Sequence, residues 1–231
     1  MARPTVADAE FGSGNPDRRF ETVDPRTGEI VGSHPVHSAD DVRRRVTAAR
    51  PAATWWAGLG FDGRKQRLDA WRRLIARRVE EAVPLISSET GKPADDARLE
   101  LVLVIDHLHW AAANAERVLH RHRVRPGLLM FNQIATVEHQ PMGVVGVIGP
   151  WNYPVFTPLG SIAYALAAGN AVVFKPSEYT PGVGKWLVDA FAEIVPEQPV
   201  LQLITGFGET GAALVGAGVD KIAFTGSTAT G

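Results

Sequence analysis

Three short segments carry the residues best suited to chemistry. Gly149-Pro150-Trp151-Asn152-Tyr153-Pro154 offers a carboxamide in a turn, and Lys175-Pro176-Ser177-Glu178 offers an ammonium and a carboxylate on one loop. Thr225-Gly226-Ser227-Thr228 sets hydroxyls beside a glycine. Each follows an apolar run, the pattern of a strand ending in a loop. Singly, each also has a plain structural reading. Asn152 serves as a turn residue, Lys175-Pro176 as a strand terminus, and Gly226-Ser227 as a tight turn with a helix cap. A fourth segment, Gly206-Phe207-Gly208-Glu209-Thr210-Gly211, spells the G-x-G-x-x-G of dinucleotide-binding turns. It stands late in the strand–helix series instead of after the first strand, so alone it is a weak signal.

Other chemistries fail on residue type or spacing. The 231 residues contain no cysteine, which excludes disulfides, thiolate metal sites and a cysteine nucleophile within them. Gly182-Val183-Gly184-Lys185 lacks the first glycine and the Ser/Thr of a P-loop, and no G-x-S-x-G is present. His107, His109, His120 and His122 invite a metal reading. Pairs spaced i, i+2 on a helix point to different faces, so they read as solvated histidines, and no metal site is expected.

The elements that must position these segments follow from periodicity. Residues 1–18, rich in Gly, Pro and Asp, read as a loose leader. Phe20–Val23 and Ile30–Gly32 read as strands about a Pro-Gly turn. Ser38 before Asp40 and Asp41 predicts a helix start, with the helix interrupted at Pro51. Helical spacing of Leu68, Trp71, Leu74, Ile75 and Val79 predicts a helix over 63–83, which Pro84 kinks or divides. A third helix over 95–120 is expected to bury Leu99, Val102, Leu103, Ile105 and Leu108. Residues 129–140 read as an exposed, arm-like strand pair. From Gly143 onward strands and helices alternate: strands over 144–148, 171–174, 201–204 and 221–225, helices over 158–168, 180–195 and 210–215. Apolar, non-alternating strands between helices predict a parallel sheet covered on both faces. In such a sheet, ligands bind beyond the carboxyl ends of the strands, where the three polar segments fall.

Composition sets outer bounds. With 45% hydrophobic residues the chain can bury a substantial core, and a formal charge of -1 argues against nucleic acid or an anionic membrane as partner. Arginines at 43, 44 and 45, and at 72, 73, 77 and 78, lie on helical stretches with Asp and Glu nearby and read as solvated faces. No apolar run approaches the roughly 20 residues of a membrane helix, and no signal-peptide pattern opens the chain. A cytoplasmic location is expected.

Together and in this order, the segments resemble the aldehyde dehydrogenases. The resemblance covers Pro-Trp-Asn-Tyr-Pro, Gly169-Asn170-Ala171-Val172-Val173, Lys-Pro-Ser-Glu and Phe224-Thr225-Gly226-Ser227-Thr228, with Glu89-Thr90-Gly91-Lys92-Pro93 upstream. It implies an α/β fold: a helical N-terminal part (1–122), an inserted β arm for oligomerisation (123–141), and a Rossmann-like NAD(P)-binding part (142–231). It also implies oxidation of an aldehyde to a carboxylic acid with NAD, NADP remaining possible. Asn152 would donate its amide to the oxyanion formed on thiolate attack. Lys175 and Glu178, on the Pro176-Ser177 loop, would hold the adenosine ribose. Gly226 and Ser227, where a strand turns into a helix, would meet the pyrophosphate. Ile148, Gly149, Pro150 and Trp151 would line the cofactor slot, with Gly206 and Gly208 on the adenine side. The Gly206 turn is shorter than the common family form and carries Glu209 where proline is frequent, which keeps its role secondary.

The family's cysteine and glutamate would lie downstream of Gly231, since the sequence ends inside Thr-Gly-Ser-Thr before the helix that motif should start. The expectation is a fragment without the catalytic domain, inactive alone, and a homodimer or homotetramer when complete. The other readings are a non-catalytic nucleotide-binding protein and an inactive remnant. The selectivity pocket is not legible, so the aldehyde stays open.

Overall fold

The computed structural model describes residues 18–231, so the expected leader lies, Arg18 apart, outside the described residues. Strands β1 (Arg19–Val23) and β2 (Ile30–Pro35) form an antiparallel hairpin. Helix α1 (Ala39–Gly58) starts on a complete capping box: Asp41 N donates to Ser38 Oγ, and Ser38 N donates to Asp41 Oδ2. It does not stop at Pro51. The proline faces solvent, while Ala49, Ala52, Ala53 and Trp56 remain buried along the opposite side. A mid-helix proline costs about 3 kcal/mol, and burying a side chain as large as Trp56 offsets a cost of that size.

The expected helix over 63–83 is two: α2 (Gly60–Arg77) and α3 (Val79–Thr90), joined at Arg78, with exposed Pro84 inside α3. Leu68, Trp71, Leu74 and Ile75 are buried as their spacing required. Helix α4 (Ala94–Leu119) is present but turned: Ala97, Leu101, Val104, Leu108 and Ala111 face inward. Leu99, Val102 and Leu103 face out instead of in, and Ile105 is only partly covered. Residues 99–105 are apolar almost all round, so periodicity there could not choose a face.

The arm also differs from expectation. Its strands are β3 (His122–Val124) and β4 (Ala135–Val137), and Leu128–Met130 is a single 3-10 turn between them. Pairing therefore begins before Pro126, not within 129–140.

Strands β5 (Val144–Ile148), β6 (Ala171–Lys175), β7 (Leu201–Leu203) and β8 (Lys221–Phe224) form one parallel sheet ordered β7-β6-β5-β8. Helices α5 (Phe156–Ala167) and α6 (Pro181–Ile194) pack against the sheet and against α2, α3 and α4. Helix α7 (Gly208–Gly216) packs with α1 and the sheet. Every residue of β6 is buried, the reason its sequence does not alternate. Gly146 lets α7 and β8 approach closely: a methyl there would lie 2.7 Å from Ile222 Cδ1 and 3.2 Å from Leu214.

Candidate nucleotide cleft

The strand order creates the site. The chain moves from β5 outward to β6 and β7, then returns across β5 to place β8 on its other side. That reversal beside β5 is the switch point at which open parallel sheets bind ligands. Lys175, Ile148 and Phe224 are register partners across three neighbouring strands. Gly149 N donates to Lys175 O and Thr225 N to Ile148 O, each at 3.0 Å, so the three polar turns leave the sheet at one level. With strands about 4.8 Å apart, the turns start within about 10 Å of one another.

Together they border a cleft of about 1060 Å³. From the β5 turn come Ile148, Gly149, Pro150, Trp151 and Asn152, and from the β6 turn Lys175, Ser177 and Glu178. Gly226 and Ser227 line it after β8, and Gly208 lines it at the start of α7. Two residues singled out by sequence stand apart. Pro176 is buried and packs close beside Gly184 of α6. Gly206 has φ 143, and a methyl there would overlap Thr210 Oγ1, so its role in the fold is a tight turn. Sequence reasoning missed Tyr179, Gly211, Ala212 and Val215, which also line the cleft. The i, i+1, i+4 spacing of the last three along α7 was the available signal.

Lys175 is 4% exposed, and its Nζ donates to Pro176 O at 3.1 Å, using one of three donors. Burial holds its ammonium below the ordinary lysine range, while Glu178 and Glu209 act the other way. A buried cation beside a carboxylate at the cleft wall suits vicinal hydroxyls, which both accept and donate. Asn152 accepts at Oδ1 from Tyr153 N at 3.1 Å, a bond that engages the acceptor end of the carboxamide and not its NH2. At the β8 turn, Thr230 N and Gly231 N both donate to Ser227 O at 3.1 Å. Residues 228–230 form a hydrogen-bonded turn.

Supports of the cleft come from far along the chain. Thr180 holds the N-cap position of α6, but its hydroxyl is buried without a partner and caps nothing. Glu89 of α3 does the capping: Gly182 N and Val183 N donate to its two carboxylate oxygens, both at 2.9 Å. His107 is not a solvated histidine either. Its ring lies 4.9 Å from Phe156 and 6.0 Å from Tyr164, with Nδ1 buried and unpartnered. No described helix is long and apolar enough to cross a membrane.

Comparison with known proteins agrees with this geometry. The sequence model of the aldehyde dehydrogenase family matches residues 11–231. An N-succinylglutamate 5-semialdehyde dehydrogenase of Burkholderia mallei is 38% identical over 214 residues, 92% of this chain. A crystal structure of an NAD-dependent aldehyde dehydrogenase from Sinorhizobium meliloti superposes with a TM-score of 0.86 at 35% identity, covering 93% of this chain and 43% of that one. An NADP-dependent glyceraldehyde-3-phosphate dehydrogenase from Bacillus halodurans, complexed with NADP, gives 0.87 at 34% identity, with 93% and 46% covered. The chain spans 43% of the length of the Burkholderia relative. On the family match across nearly its whole length, the chain belongs to the aldehyde dehydrogenase family.

Proposed function

We propose that these residues form the cofactor-binding and oxyanion-stabilising part of an enzyme that oxidises an aldehyde to a carboxylic acid with NAD(P)+. The observation that carries this reading is the convergence of Asn152, Lys175, Glu178 and the Gly226-Ser227 turn on one cleft at the sheet's switch point. The cofactor, when bound, accepts a hydride. Lys175 and Glu178 hold the ribose hydroxyls as donor and acceptor. Backbone N–H groups at Gly226 and Ser227 face the pyrophosphate, and Gly208 borders the adenine side, with Gly206 shaping that turn. Asn152 donates to the oxygen that gains charge when a thiolate adds to the aldehyde carbon. That thiolate comes from outside these residues, which contain no cysteine. Glu178 at the 2′-hydroxyl favours NAD+ over NADP+. In this reading the helical part, over the described residues 18–122, braces the cleft and residues 123–141 join subunits of a cytoplasmic homodimer or homotetramer. The exposure of Leu128, Leu129, Phe131 and Ile134 supports that role for the arm.

Calorimetric titration of the purified chain tests the reading. NAD+ is expected to bind saturably, and Lys175→Met to weaken it about tenfold or more, the scale of one charge-assisted hydrogen bond. A folded chain that binds neither NAD+ nor NADP+ would refute it.

A further inference from the structure

Two charged side chains that contribute nothing to the cleft wall end on the Asn152 turn. Lys92 Nζ donates to the Asn152 carbonyl oxygen at 2.9 Å and lies 4.5 Å from the centre of the Tyr153 ring. The same ammonium pairs with Glu100 Oε2 at 2.7 Å. Glu100 Oε1 accepts from Val155 N at 2.8 Å and from Phe156 N at 3.0 Å. One ion pair therefore binds the backbone on both sides of Tyr153-Pro154. Val155 makes no side-chain cap for α5, so Glu100 supplies that cap from α4.

Besides this pair, the far end of the turn is held by buried Pro154 and by Thr157 N donating to Tyr153 O at 3.3 Å. Trp151 and Tyr153 are 54% and 48% exposed, so burial of their side chains does not fix the loop. Glu100, by contrast, is 1% exposed. A buried ion pair is a poor source of net stability compared with apolar packing, because both charges must be desolvated. Geometry is what this one supplies. Rotating the 152–153 peptide would break the Lys92 bond and swing the Asn152 side chain, whose Oδ1 is tied to Tyr153 N.

The geometry points to Lys92 and Glu100 as positioning residues for Asn152: the pair fixes the turn and so holds the carboxamide NH2 where an oxyanion would form. This inference rests on the reading of Asn152 as the oxyanion donor. Neither side chain touches the reacting atoms.

The test compares Lys92→Arg with the double variant Lys92→Met/Glu100→Gln. The double variant keeps the site neutral and retains an acceptor for the α5 amides, but removes the donor to Asn152 O. In the 15N-labelled chain, the Asn152 side-chain NH2 pair is assigned by its loss in Asn152→Ala. In the double variant that pair is expected to broaden or shift, and exchange of the Tyr153, Val155 and Phe156 backbone amides to rise about tenfold or more, the scale of losing a charge-assisted bond. Protection of the β6 amides and affinity for NAD+ should stay within about threefold, below the tenfold that 1.4 kcal/mol represents. Lys92→Arg should restore the NH2 signature. In an active enzyme containing this chain, kcat should fall about tenfold or more without a change in KM for NAD+, the split that marks a transition-state contact. An unchanged NH2 pair, or a loss of protection spread equally over β6, overturns the proposal. If Asn152→Ala leaves kcat unchanged while the double variant still shifts the NH2 pair, the oxyanion reading fails and the hold on the turn stands.

Discussion

Replacing Glu89 with glutamine should change how stability depends on pH, in a direction opposite to that of an ordinary helix-capping carboxylate. Glu89 is 4% exposed, and burial pushes its carboxyl from the ordinary 4.5 up to about 7, while the Val183 and Gly182 N–H groups pull it down. Because its proton is held more tightly in the folded than in the unfolded chain, its contribution is fully present below pH 4.5. It is lost as pH rises to about 7 and flat beyond. At about 1.4 kcal/mol per pH unit, the interval between those two values corresponds to about 3 kcal/mol. Glutamine does not ionise, so Glu89→Gln removes this slope. It offers one oxygen to two amides, a fixed cost of about 1–3 kcal/mol that lowers the whole curve without tilting it. The assay is urea unfolding at half-unit steps from pH 4.5 to 8, followed by fluorescence, for which Trp56 and Trp71 are fully buried reporters. His34 and His37, whose burial holds them below the ordinary histidine range, also titrate on unfolding, but they are common to both proteins and cancel in the difference. The expected result is a variant that gains about 3 kcal/mol on wild type between pH 4.5 and 7. A difference that is flat, or that favours wild type increasingly at high pH, would show that the two N–H groups outweigh desolvation and refute the reasoning.

Four further outcomes are expected. Asn152→Ala in an active enzyme containing this chain should lower kcat about 10²- to 10³-fold and leave NAD+ affinity nearly unchanged, as loss of one oxyanion donor does. A kcat within a few-fold of wild type would leave Asn152 a turn residue only. Glu178→Ser should narrow the preference for NAD+ over NADP+, because a carboxylate beside a 2′-phosphate costs on the order of 1 kcal/mol even in water. Paired kcat/KM values with an unchanged ratio would place Glu178 elsewhere. The purified chain alone should produce no NADH from any aldehyde, since it lacks a thiol nucleophile, and NADH formation free of contaminating enzymes would contradict this. Gly146→Ala should destabilise the chain by about 1–3 kcal/mol through overpacking against Ile222 and Leu214, read as a shift in the urea midpoint.

Local order in the sequence was enough for several features. The Ser38 capping box, the inward spacing of Leu68, Trp71, Leu74 and Ile75, and the apolar strands β5 and β6 all depend on neighbours within about four residues. The turns bearing Asn152, Lys175 and Gly226 were legible too, since glycine, proline and polar residues after an apolar run mark a strand's end.

Tertiary structure decided what lies far apart in the chain. Only the order β7-β6-β5-β8 brings turns that begin near residues 149, 176 and 225 to one cleft, and strand order leaves no trace in periodicity. The inward face of α4 was chosen by packing, because residues 99–105 offer apolar side chains in nearly every direction. Glu89 caps a helix 93 residues away, and Lys92 reaches Asn152 across 60. By sequence both stood within the segment Glu89-Thr90-Gly91-Lys92-Pro93 that resembles the family, with no role of their own. Their meaning comes from backbone N–H and carbonyl groups left unpaired at distant turns, which any nearby charged side chain can satisfy once the fold has brought it there.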